Sequence, residues 1–325
     1  MKKYTHAWLA MMAMKRLDKA QLPEIEGKDE VARYARTLVR WFKNYRDFVV
    51  QGAWYPDEVF SDQGMSHGLK YTIFEAGEKP KFMSLPDTME IYKLMKATSP
   101  IVKKKIPFIY VKGNVQDRCD AMAHTIVDNF KIQFREEKGN PIIPSSTHMA
   151  MRFYIMSHYL ADSHMPLHCD SRSLGGIHAS IEESWEKQIK KSYSIDTRNN
   201  RFYYDVDGYP LATDKMTPLI STIEEKILSR PFNYGWGGSK YGTRDYITAV
   251  AQYSFMLAQQ MVPTDVGNVS WSKYQETEAF QHFDEFSAML LTDAVDSIAR
   301  AWLHVWKRYR DWGPDKAKLV DNYTE

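Results

Sequence analysis

From Phe280 to Tyr309 the chain keeps one apolar face: Phe280, Phe283, Phe286, Leu290, Ala294, Ile298, Ala301, Val305 and Tyr309 follow one another at spacings of three or four. That is the period of an α-helix with one buried stripe. A stripe this long has to be covered along its length by other elements. Gly313-Pro314 supplies the stop. The same period recurs upstream. Val31, Tyr34, Leu38, Trp41, Phe42, Tyr45, Phe48 and Val49 predict a helix that Gly52 ends. Ser84 and Asp87 form a capping box before a helix through Met95. Val115, Cys119, Met122, Ile126, Phe130 and Phe134 mark another. Further helices are expected over about 146–163, from Gly175-Gly176 to about Lys191, and over about 216–229 and 244–261. Residues 52–82 lack a period and read as a long loop, a place where function often resides. Arg201 to Val206, the Asp207-Gly208 turn and the residues from Tyr209 read as a small β-hairpin.

No repeat, low-complexity tract or linker interrupts residues 1–325. The expectation is one all-α, multi-helix domain with a small β-hairpin insertion near 200–212. The hydrophobic share of 44% and charged share of 26% fit a globular chain and argue against disorder. A net charge of +2 carries no basic stripe of the kind that binds nucleic acid or an anionic membrane tightly. Lys103 to Lys105 read as a solvated loop. Two cysteines, Cys119 and Cys169, argue against a disulfide framework. No apolar run approaches the roughly 20 residues of a membrane span. Met1-Lys2-Lys3 before Tyr4–Met14 has a leader's outline, but His6 and Lys15-Arg16 interrupt it and no small-residue cleavage site follows. The stretch reads better as an amphipathic first helix. A cytoplasmic protein is favoured, or a secreted one whose leader has been removed.

Five of the ten histidines fall between His148 and His178. His158 and Asp162 are four apart on a predicted helix, so imidazole and carboxylate share a face. His168 follows six residues later, beyond Pro166, where the chain must turn. His178 and Glu182 repeat the four-residue spacing on the next helix. Either pair alone is more often a hydrogen bond or a solvated face. Two such pairs and a connecting His have no ordinary packing reason, and their nitrogen and oxygen donors suit Zn²⁺. Asp57, His67 and His6 are candidates for the remaining ligands.

The segment His158-Tyr-Leu-Ala-Asp162-Ser-His-Met-Pro-Leu-His168, followed by His178-Ala-Ser-Ile-Glu182, resembles the ligand signature of the zinc-dependent phospholipases C and the related single-strand-specific zinc nucleases. The resemblance is specific over 158–182 and loose elsewhere. It implies an all-helical domain holding two to three zinc ions. One would take Asp57, His67, His158 and Asp162, with Asp62 as fallback for Asp57. A second would take His168, His178 and Glu182. A third would take His6, the bridging Asp162, and the amine and carbonyl of Met1. Asp57 and Asp162 would then be the catalytic carboxylates, and Asp57 could also accept a proton. The implied substrate is a phosphodiester. Glu182, where the nucleases often place Asp, leans towards a lipid-like one and leaves peripheral membrane contact open. Glu58 and Gly64 stand where choline-binding members place aromatics, and the spacing from Met1 to His6 is nuclease-like. A single-strand nuclease is therefore the alternative, and a non-catalytic metal protein a more distant one. His124, His148 and His164 fall outside the ligand set. Trp54, Tyr55 and Phe60 could stack on a base, contact a lipid, or simply pack.

Overall fold

The computed structural model describes residues 1–19, 28–60, 65–73, 108–135, 143–234 and 242–312. The capping-box helix at 84–95, the Lys103–Lys105 run, Asp62 and the Gly313-Pro314 stop lie outside the described residues.

Helix dominates. In chain order the helices are α1 (Lys3–Lys19), α2 (Lys28–Lys43), α3 (Val49–Tyr55), α4 (Val115–Arg135), α5 (Ser146–Ser163), α6 (Pro166–Cys169), α7 (Gly175–Ser192), α8 (Pro218–Ser229), α9 (Thr243–Met261), α10 (Trp271–Gln275) and α11 (Phe283–Trp312). The apolar stripe of α11 is covered by α1, α8, α4, α5 and α2. Its Trp302 and Trp306 are fully buried. Trp302 donates its indole N–H to the carbonyl of Phe153 at 3.0 Å, and Trp306 donates to Thr37 Oγ1 at 3.1 Å. Both rings thus bury their area without stranding the polar edge.

Several expectations change. α1 is buried all round rather than amphipathic: Ala7 to Met14 have no exposed surface. A helix packed on every side has no polar stripe to show in its sequence. The helix expected over 31–49 breaks at Lys43. A turn and the 3₁₀ segment Arg46–Phe48 separate it from α3. Gly52 lies inside α3 rather than ending a helix. A Cβ there would sit 2.7 Å from the Cβ of Tyr154, so this glycine permits the close approach of α3 to α5.

Part of the expected long loop forms regular structure. α3 runs into a π-helical turn, Pro56–Phe60, and then into strand β1 (Leu69–Ile73). β1 pairs antiparallel with β2 (Phe108–Gly113), with an irregularity between Lys70 and Tyr71. The hairpin expected at 200–212 is displaced. Its paired strands are β3 (Ile195–Asp196) and β4 (Arg201–Phe202). The Asp207-Gly208 turn is real, with Gly208 at φ +86°, but only the Tyr204–Pro210 bridge flanks it. Among the described residues no helix is long and apolar enough to cross a membrane.

Candidate metal centre

Pro166 ends α5 and opens α6, which turns the chain back on itself. Ser145 caps the start of α5 by accepting the N–H of His148. Near its other end α5 presents His158 and Asp162, both almost fully buried. α1, α3, α6 and α7 surround that end, and each delivers a donor or lies next to one.

The first grouping is His67, His158 and Asp162. His158 Nδ1 lies 2.7 Å from the carbonyl of Ala53. A carbonyl only accepts, so Nδ1 carries a proton, and Nε2 faces inward towards the carboxylate. That Nε2 is 3.1 Å from Asp162 Oδ2 and 3.0 Å from His67 Nδ1. His67 Nδ1 is 2.7 Å from the same carboxylate oxygen. Asp57 Oδ1 stands 3.8 Å from both ring nitrogens. Donors at 2.0–2.2 Å from one tetrahedral ion lie roughly 3.3–3.6 Å apart. These atoms converge on one point but sit somewhat closer together, at 2.7–3.1 Å, with Asp57 just outside at 3.8 Å.

The second grouping is His168, His178 and Glu182. Glu182 Oε1 is 2.8 Å from His178 Nε2 and 3.4 Å from His168 Nε2. The two rings meet edge to face at 4.8 Å. The other nitrogen of His168, Nδ1, is 3.3 Å from Asp162 Oδ1 and makes no hydrogen bond.

The Met1 amine is buried between the two acids, 3.0 Å from Asp162 Oδ1 and 2.8 Å from Glu182 Oε1. His6 Nε2 lies 3.4 Å from Asp162 Oδ1. Its ring stacks on that of His158 at 3.8 Å, and neither of its buried nitrogens has a hydrogen-bond partner. Two orphaned imidazole nitrogens in a buried site are costly without a ligand to bind. His6 also groups with Asp57 and His158, so it stands between two sets of donors rather than belonging to one.

Electrostatics match this arrangement. Burial holds His6 well below its ordinary value and takes His168 down to about 4, so both rings are neutral and able to donate a lone pair. Burial opposes the charge on Asp162, but the Met1 amine and the rings of His168, His158 and His6 hold the carboxylate well below its ordinary range. Glu182 is depressed in the same way, against burial, by the Met1 amine, His168 and His178. Burial opposes the Met1 ammonium too, and Asp162 and Glu182 raise it to about 11. Asp57 behaves differently. Burial raises it, His158 partly offsets this, and Asp162 adds to the rise.

The donor set is imidazole and carboxylate, without thiolate. Cys119 and Cys169 are free and buried, and Cys169 Sγ faces the Ser163 carbonyl. His164 points into the core, 2.8 Å from Ser297 Oγ. His148 is paired with Arg152, and His124 with Arg308. Trp54 lies against the rings of His6 and His158, each at 6.4 Å, so it packs behind the donors. Tyr55 meets Phe60 edge to face at 6.3 Å, and Phe60 remains 43% exposed near Asp57. The Ala53 carbonyl was not legible from sequence, because a backbone acceptor has no residue signature.

No protein family, curated protein or solved structure matches this chain.

Proposed function

We propose that the chain is a zinc-dependent phosphodiester hydrolase of the phospholipase C and single-strand nuclease type, with a centre of two to three zinc ions. The observation that carries this reading is Asp162. One buried carboxylate has Oδ2 in reach of His67 and His158, and Oδ1 in reach of His168, His6 and the Met1 amine. A structural zinc site is usually closed and thiolate-rich, whereas this donor set is neither.

Zinc held there supplies a water of lowered pKa and a positive field for the phosphoryl oxygens. The chain's own residues orient and exclude. The Ala53 carbonyl fixes the tautomer of His158. Asp162 holds the two donor groups in register. Asp57, half-buried 3.8 Å from His67 and His158 and raised by that burial, would take a proton from attacking water.

A lipid-like diester is the preferred substrate. Glu182 and the low net charge motivate that choice. The exposed ring of Phe60, close in sequence to Asp57, favours the second reading, in which single-stranded nucleic acid stacks there. Elemental analysis of protein never exposed to chelator should find two to three zinc ions per chain. Fewer than one transition metal per chain ends the metal reading. At equal zinc, a short-chain phospholipid should be cleaved faster than single-stranded DNA or RNA. Cleavage of the nucleic acids alone would select the nuclease.

A further inference from the structure

Gly68 sits between His67 and β1, where three backbone segments meet with no side chain between them. A Cβ at Gly68 would lie 2.2 Å from the carbonyl oxygen of His168 and 3.2 Å from its carbonyl carbon. Real Cβ atoms never approach backbone so closely, so only hydrogen fits. On the opposite side, a Cβ at Gly113 would lie 2.2 Å from the carbonyl oxygen of Gly68. Gly113 has φ +111°, a region that side chains disfavour. The end of β2, the residue after His67 and the backbone of His168 are therefore stacked in direct contact.

Hydrogen bonds keep this stack closed. Asn114 donates its N–H to the Met65 carbonyl at 2.7 Å, and Ser171 donates to the Tyr71 carbonyl at 3.0 Å. Tyr71 and Asp170 form a parallel bridge. Arg172 ties Asp170 to α9 through the Ala258 carbonyl. β1 is thus sewn to the strand of chain that follows α6.

His67 belongs to one grouping of donors and His168 to the other, and both converge on Asp162. We propose that Gly68 is a positioning residue: by allowing backbone contact between the His67 and His168 segments, it sets the spacing of the two halves of the metal centre. This inference rests on the metal reading given above. Gly68 brings no side chain to the centre; it acts through its two neighbours, His67 and His168. A methyl group at 68 must push His67 away from His168, and Asp162 cannot follow both, because α5 holds it.

The test uses the full chain loaded with cobalt(II), whose electron paramagnetic signature reports whether neighbouring ions are magnetically coupled. Wild type should bind two or more ions and show coupling. Gly68→Ala should bind one ion roughly 10–100-fold more weakly, the size expected when support around a ligand is lost, and should lose the coupled signal in its folded fraction. A merely structural glycine would lower the unfolding temperature and leave the coupling of folded protein intact. Should Gly68→Ala not fold, Ser171→Pro loosens the same contact without a wedge. It removes the Ser171 N–H, and Asp170 at φ −99°, ψ 134° already has the conformation required before proline. It too should weaken one ion and the coupling. Full coupling and unchanged affinity in either folded variant would overturn the proposal while leaving the metal reading standing. A wild type that binds no metal would overturn both.

Discussion

At the scale of single residues, Asp162 and His164 make a natural contrast. They are two positions apart, equally buried, and chemically unlike in their surroundings. Asp162 Oδ1 and Oδ2 face different donor groups, so Asp162→Asn keeps the shape and removes the charge both groups share. That variant should lose most of its metal and nearly all activity, read by elemental analysis and turnover. His164 instead closes a core chain in which Tyr246 lies 2.6 Å from Ser297 and Arg300 donates to the Tyr246 hydroxyl at 2.7 Å. His164→Ala should keep its metal and most of its activity, and should lose about 1–3 kcal/mol of stability in denaturant titration through the unpaired groups. Equal loss of metal at both positions would mean the ligand assignment is wrong.

At the scale of elements, the candidate metal centre depends on how closely α3 and α5 approach. His158 on α5 is fixed by a carbonyl of α3, and the contact passes over Gly52. Gly52→Ala relieves backbone entropy within a helix but drives a methyl into Tyr154. The second effect should win, with a net cost of about 1–3 kcal/mol as in other overpacked cores. Because α3 would be lifted from α5, the variant should also bind metal more weakly than an equally destabilised variant made elsewhere. Thermal unfolding and metal titration of the two proteins side by side would show this.

At the scale of the whole molecule, α11 anchors the fold through charge as well as apolar area. Asp296 receives Arg16 Nε at 2.7 Å and Arg230 Nη2 at 2.6 Å, and all three elements meet there. Removing one partner of a buried pair strands the others, so Asp296→Asn should cost about 3–5 kcal/mol. The pH dependence separates into two windows. Burial, with Arg308 and Lys307 nearby, takes His304 down to about 3. Its folded pKa lies below the unfolded value of about 6.5, so the unfolded chain binds the extra proton. The stability it contributes is present above about pH 6.5 and is lost as pH falls towards 3. Asp296, opposed by burial but depressed chiefly by Arg230 and Arg16, contributes stability above about pH 4 that is lost only at lower pH. The thermal midpoint should therefore fall from pH 7 to 4, and His304→Gln should flatten part of that fall. If the centre holds metal as proposed, chelator added at pH 7 should lower the midpoint as well, since a ligand that binds only the folded chain stabilises it.

Helices α4, α5, α7, α8, α9 and α11 lie close to where the sequence puts them, and a period of three to four marks α4 and α11. α11 keeps its stripe although 290–303 are buried all round, because its second face carries the polar Asp293, Asp296 and Arg300. The one-turn pairs His158–Asp162 and His178–Glu182 were legible for the same reason, since helical spacing alone puts each pair on one face. α1 was misread because burial on every side erases the stripe. Gly52 was misread because a glycine that ends a helix and one that lets two helices touch look alike in sequence. β1, β2 and the true ends of the small hairpin escaped because strands this short draw their stability from partners distant in the chain. Local sequence therefore determined which side chains could bind a metal and which faces had to be covered. His6, Asp57, His67 and the Met1 amine were assigned as ligands only through the family resemblance. The tertiary structure decided that His6, His67 and the amine reach Asp162 while Asp57 stands against His67 and His158, because bringing those separate segments together depends on which buried surfaces pack, and no local period records that.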